Sequence, residues 1–477
     1  MTTVVSRLDV RPVGQGAFIR GQVEIHDGQP WLPPRETIRW IYDCGTDSKQ
    51  EIIDASVYDL GASWSCKEKL DVLIISHFDK DHISGLPTLL PRYAFARILM
   101  PHLPRLVRLL AVVERIEDEV PGRLADLLAF ADDPVDYIRT NGGGHTQIIL
   151  VNAPEGPETR VPRDLNTGDG PFDPTLILDE KLFGEQTRLA VGSAGDIRVV
   201  DSGRPIVLNS AWELIPYIDY EVREQLLNFD LKDESDLKSR LKQVLQLARV
   251  MTVQDIGLGD HESDANISKV DVKAKKAMKK ALKQAIYSLK QAVYKAIEAK
   301  IGTKPTAKHK NSISLMAYMG ATTADQFFCS CTQVEVGVGP EDGSLTNDHA
   351  GSRKKGSGWL LTGDADLTDI KAVDRLVAHM ANHRIQTLGV FQVPHHGSKH
   401  NSSQYTANKL PAPFNVFNAN PHGRHGHPDK EVVDRFSSAL LVNARAFEAV
   451  SVASDDPQCT DPHLWCCSWA ANTKPRW

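Results

Sequence analysis

"SHFDKDHISGL", residues Ser76 to Leu86, follows the run Asp71-Val72-Leu73-Ile74-Ile75, which is apolar after its first residue. A continuous apolar run of this kind reads as a strand buried on both faces, the mark of a parallel sheet covered by helices. His77, Asp79, Asp81 and His82 then fall within six positions of one loop. Imidazoles and carboxylates crowded at a buried strand end lose hydration and repel one another unless a cation lies among them. The loop therefore reads as metal-binding.

Two other loops are built the same way. "LLTGDAD", Leu360 to Asp366, ends one apolar strand, and "VPHHGSKHNSS", Val393 to Ser403, ends another. Asp43 in "IYDCG" is a fourth acid at a strand end. Such positions are rigid and hold ligand geometry better than a mobile loop. Mixed imidazole and carboxylate sets suit Zn²⁺ or Mn²⁺, and carboxylate-rich sets lean toward Mn²⁺. The three loops together predict a site for two divalent metal ions.

The rest of the chain places these loops in an α/β protein. Strand-like text fills the first part ("RLDVRPVGQGAFIRGQVEI", "TIRWIYDCG"), and "LVRLLAVVERIEDEV" has helical spacing. Residues 146–310 change texture: a Gly/Pro/Asp-rich stretch leads to two long helical patterns, and the second puts Met278, Leu282, Ile286, Leu289, Val293 and Ile297 on one stripe with lysines elsewhere. Strand text resumes after it. The expected organisation is one α/β domain in two halves, 1–145 and 311–455, split by a loop-rich and helical insertion at 146–310 and followed by a Cys/Trp-containing tail at 456–477.

At 477 residues, 41% hydrophobic and 24% charged, the chain is globular in composition. Its 55 basic and 61 acidic residues leave a formal charge of −6, which excludes a global basic field; any attraction for nucleic acid must be local. No apolar run approaches the ~20 residues needed to cross a bilayer, and the opening lacks the layout of a secretory signal. Seven cysteines are sparse and odd in number, so a reduced, cytoplasmic protein is expected, with no membrane contact. Cys459, His463, Cys466 and Cys467 in the tail fit no usual zinc spacing and read as packing residues.

Taken in order, "VGQGA" at Val13 to Ala17, "SHFDKDHISGL", "LLTGDAD" and "VPHHGSKHNSS" resemble the metallo-β-lactamase fold family, and within it the hydrolase domain of ComEC-type DNA-uptake proteins. The resemblance implies an αββα four-layer sandwich interrupted by the helical insertion. It implies that His77 and Asp79 bind one metal ion, that Asp81 and His82 bind a second, that Asp364 bridges them, and that His396 completes the second site. His395 is the other candidate for that last role. Asp43 would stand behind the ligands and orient one of them. Here Asp79 takes the place of the family's second histidine, which makes the first site harder and more anionic. The family's mid-chain histidine has no evident counterpart: Asn311 occupies that neighbourhood, and His145 in "GGGHTQ" matches the text but not the position.

The activity implied is hydrolysis of a phosphodiester, DNA foremost, by a hydroxide generated at the metal pair. Asp81 and His395 would serve that chemistry at the metals. His427 would sit beside the substrate phosphate, and Lys80 could grip an anion from the opposite loop. The Lys269–Lys300 segment offers a possible nucleic-acid contact, while a protein partner is not indicated. Two alternatives stand beside this one: a hydrolase of a small molecule such as a cyclic nucleotide, a phosphocholine-type ester or a lactone, and a non-catalytic sensor subunit that has kept the fold.

Overall fold

A computed structural model describes residues 2–454 except 28–31, 65–68, 117–118, 143–145, 154–196, 204–205, 208–211, 220, 222–234, 260–268, 303–312, 322–328, 337–352, 424–425, 437–438 and 443–446. His145, Asn311 and the cysteine-bearing tail therefore lie outside the described residues.

The chain forms an α/β structure with two mixed sheets. In the first half β1 (Thr2–Val10), β2 (Ile19–Asp27) and β3 (Glu36–Tyr42) make an antiparallel meander. From β3 onward the pairing is parallel, through β4 (Leu70–Ile74), β5 (Phe95–Pro101), β6 (Gln147–Asn152) and β7 (Ile197–Asp201). The second sheet begins with β8 (Ile206–Val207), β9 (Trp212–Tyr217) and β10 (Met316–Ala321), all antiparallel. β11 (Cys329–Val336) and β12 (Arg353–Lys355) return to the first sheet. β13 (Gly358–Leu361), β14 (Leu388–Gln392), β15 (Phe414–Asn418) and β16 (Ala439–Val442) then run parallel in the second, and β17 (Phe447–Ser454) pairs with β1 and β11.

Period-two alternation explains how the sheets are held. Leu214, Ala317, Met319, Trp359, Leu361 and Val390 of the second sheet join one core with Leu8, Trp40, Tyr42, Val72 and Ile74 of the first. Trp40 and Trp359 are both fully buried, and their rings lie 5.8 Å apart at 48°. The intervening residues Ile215, Tyr217, Tyr318, Leu360, Phe391 and Phe417 form a separate core with Val373, Leu376 and Met380 of the helix Ile370–Met380. Helices thus cover the far face of the second sheet. Each large side chain so buried contributes roughly 1.5–3 kcal/mol relative to exposure.

The stretch expected to be a loop-rich insertion supplies two strands to each sheet, β6 to β9. "QIILVN" and "IRVV" are short apolar runs at the margin of a Gly/Pro-rich segment, and such runs acquire strand character only when a sheet edge receives them. The two long helices, Ser235–Gly259 and Lys269–Ile301, pack on each other and on helices Pro121–Asp132 and Arg105–Val113. Of the expected stripe, Leu282, Ile286, Leu289, Val293 and Ile297 are buried, and Met278 is half-buried. Among the described residues no helix is long and apolar enough to cross a membrane.

Candidate metal centre

The C-terminal ends of the parallel strands β3, β4, β13 and β14 converge, the usual place for a site in an α/β sheet. After β4 the chain makes the short helix Lys80–Ile83, which turns Asp81 and His82 inward. That loop is braced from behind: Ala17 donates from its backbone N–H to the Asp81 carbonyl at 3.0 Å, and Cys44 to that of His82 at 2.8 Å. Gly45 permits this approach, since a Cβ there would lie 2.5 Å from the His82 nitrogen. After β13, Gly363 adopts φ 53°, a conformation that suits glycine, and presents Asp364. The His395 N–H donates to the Gly363 carbonyl at 3.0 Å and joins the last loop to it.

Asp81, His82, Asp364 and His396, all buried, bring one ligand atom each within 4.8 Å of one another. Asp364 lies at the middle: its Oδ1 is 3.2 Å from His82 Nε2 and 3.8 Å from His396 Nε2, and its Oδ2 is 3.6 Å from His77 Nε2 and 3.5 Å from His395 Nε2. His396 Nε2 is also 3.2 Å from Asp81 Oδ2. These are ion-pair distances, yet His77 Nε2, His82 Nε2, Asp81 Oδ1 and both Asp364 oxygens are buried without a hydrogen bond. Buried polar atoms are nearly always paired, so this concentration of exceptions fits a cation among them. The residues present therefore suit a metal ion.

Hydrogen bonds behind the ligands set which nitrogen is offered. Asp43 Oδ1 accepts from the Ser76 N–H at 2.7 Å, and its Oδ2 from the Ser76 hydroxyl at 2.7 Å and from His82 Nδ1 at 2.8 Å. Ser76 has spent its one proton on Asp43, so its oxygen accepts from His77 Nδ1 at 2.9 Å. His396 Nδ1 donates to the Asn418 carbonyl, and His395 Nδ1 to Asn401 Oδ1 at 2.7 Å. In every case Nδ1 carries the proton and Nε2 faces Asp364, the arrangement that orients histidine ligands. Asp43, His395 and His396 hold φ of 57°, 47° and 57°, rare for residues with a Cβ and concentrated at this one place.

Charge is coupled across the cluster. Burial opposes a proton on His82, but Asp364 and Asp43 outweigh it and hold its pKa well above the ordinary imidazole value. Burial would raise Asp364, yet His395, His82 and His77 keep it well below the usual carboxylate range. Asp81 is likewise held well below it, against burial, by Arg115 first and then His396 and His82. His395 is pushed down by burial, only partly offset by Asp364.

The structure thus gathers His77, Asp79, Asp81, His82, Asp364, His395 and His396 around one point, with Asp43 behind His82. Of the double histidine it is His396 that joins the four-residue cluster, with His395 on its open side. His427 lies beyond His395, ring centroids 5.9 Å apart. Lys80 differs from its expected role: its ammonium pairs with Glu119 Oε2 at 2.8 Å and lies 3.8 Å from Asp47, because the short helix points position 80 away from the ligands. The cation at the cluster is instead Arg115, whose guanidinium is 2.9 Å from Asp81 Oδ2 and 3.8 Å from Asp79 Oδ2. It stands just past the helix Arg105–Val113 in "VVERIEDEV", where nothing in the local text marks it. No protein-family model matches this chain, and no curated protein matches it.

Proposed function

We propose that this chain is a metal-dependent hydrolase of the metallo-β-lactamase fold, an αββα sandwich that cleaves phosphodiesters, DNA first among them. The observation that carries the reading is the buried convergence of Asp81, His82, Asp364 and His396 from loops far apart in sequence. Two sheets sharing one core, with the ligands at the ends of their parallel strands, support the finer assignment of the fold. The acid-rich set favours Mn²⁺ or Zn²⁺.

A divalent ion bound there supplies Lewis acidity and an ionised water at neutral pH, which dispenses with a side-chain nucleophile. Asp43 and the Asn418 carbonyl hold His82 and His396 with Nε2 toward the centre. His395, kept neutral by burial and fixed through Asn401, presents an unprotonated Nε2 that can take a proton on the open side of the site. His427, next along that side, is placed to meet the part of the substrate leading out of the centre.

Nucleic acid as substrate draws support from the helix Lys269–Ile301. Lys273, Lys275, Lys276, Lys279, Lys280 and Lys283 are all exposed along it, and its apolar stripe is seated on the core. A local basic face on an acidic chain suits a polyanion. The free thiol of Cys44, buried, agrees with a reduced cytoplasmic setting.

The test is incubation of purified protein with bis-p-nitrophenyl phosphate, linear DNA and RNA, adding Mn²⁺, Zn²⁺ or Mg²⁺ in turn. Metal-dependent cleavage that chelation stops reversibly is the expected result. Cleavage of the small ester without any of nucleic acid would move a small-molecule substrate ahead. No turnover with any pair would remove the hydrolase reading.

A further inference from the structure

We propose that the centre holds one divalent ion, on Asp81, His82, Asp364 and His396, and that the Arg115 guanidinium takes the place of a second cation between Asp79 and Asp81. The inference rests on the metal-centre reading above and on nothing about the reaction.

Three observations converge on it. The four ligand atoms that close to within 4.8 Å belong to a single site, and His77 and Asp79 are not among them. Arg115 reaches both carboxylates that a second ion would use, with nitrogens 2.9 Å from Asp81 and 3.8 Å from Asp79. Ser314, not an imidazole, stands where the other strand-end loop meets His77: its Oγ is 3.5 Å from His77 Nδ1 and accepts the Asp364 N–H at 3.1 Å. The second position thus has a fixed positive charge on it and is short of a nitrogen ligand.

The choice of residue matters physically. A lysine beside a dication could shed its proton, but a guanidinium stays charged in any protein environment. A second dication on Asp79 and Asp81 would lie within a few ångströms of that charge, in surroundings where burial weakens solvent screening. Its planar fork also spans two carboxylates at once, as a spherical ion would. Arg115 therefore neutralises Asp79 and Asp81 as a permanent part of the chain, without depending on the supply of metal.

The experiment is equilibrium dialysis of the full chain against excess Mn²⁺, with bound metal counted by mass spectrometry. Wild type is expected to hold one ion, Arg115→Met two, and Asp79→Asn one. Two ions on wild type would overturn the assignment, as would a single ion on Arg115→Met. Should Arg115→Met fail to fold, Asp79→Asn decides: loss of metal in that variant would mean that Asp79 holds an ion, and the proposal would fall. No ion on wild type would instead overturn the metal-centre reading, and this one with it.

Discussion

Two regions of the molecule carry runs of like charge, and they differ in what surrounds them. Asp43, Asp79, Asp81 and Asp364 are each at most 1% exposed, at strand ends inside the core. Lys273, Lys275, Lys276, Lys279, Lys280 and Lys283 stand in water on one helix face. Burying like charges is costly unless something opposite lies among them, so the acids imply a cation wherever they are found together. Exposed lysines are screened within about 8–10 Å and cost almost nothing to keep. Clustered charge therefore speaks of function in the first region by physical necessity, whereas in the second it only permits one.

The strongest way to break this comparison is to take the central acid away. Asp364→Ala should bring bound metal down to background and abolish turnover, since Asp364 touches every histidine of the cluster; undiminished metal in a folded variant would show that these acids need no ion. A smaller effect is expected one layer back. Asp43→Asn keeps the shape but weakens the hold on His82, and metal affinity should fall by about 10–100-fold, as read by calorimetric titration. An unchanged affinity would make Asp43 a packing residue.

Protonation sharpens the same contrast. His82 has a folded pKa above its unfolded value of ~6.5, so its contribution to stability is fully present below about pH 6.5 and is lost as pH rises through the folded value. Asp81 and Asp364 are depressed, so theirs is present above about pH 3.9 and lost as pH falls through their folded values. Metal-free protein should thus melt at progressively lower temperature above about pH 6.5. Metal must displace the His82 proton, so affinity should rise by up to about tenfold per pH unit over the same range. A flat affinity profile there would mean that His82 binds no metal.

The smallest effect belongs to the exposed region. Replacing Lys276, Lys279, Lys280 and Lys283 together with glutamine should alter stability by no more than about 0.5 kcal/mol per site and leave hydrolysis of a small phosphodiester unchanged. DNA affinity should fall, and the log–log salt slope should become shallower by about 0.9 for each phosphate that a lysine no longer neutralises. Unchanged affinity and slope would show that these lysines only solvate the helix.

Much of the centre was legible in the residues themselves. His77, Asp81, His82, Asp364 and the double histidine each follow an apolar strand, and a strand end is where a local pattern dictates both burial and direction. The helix stripe from Leu282 to Ile297 was legible for a similar reason, because its spacing alone determines which face docks. Arg115 was not, since its meaning depends on the helix Arg105–Val113 ending opposite a loop more than thirty residues earlier in the chain. Lys80 misled for the complementary reason: adjacency to the ligands says nothing about which way a short helix turns it.

The amino-acid sequence by itself determined the periodicities, the strand-end loops and the chemistry of their side chains, because these follow from neighbours along the chain. Only the tertiary structure decided that β6 to β9 belong to the two sheets, that His396 is the histidine in the four-residue cluster, and that an arginine faces Asp79 and Asp81. Each of those outcomes depends on distances between segments remote in sequence, set by how two sheets and their helices share a core.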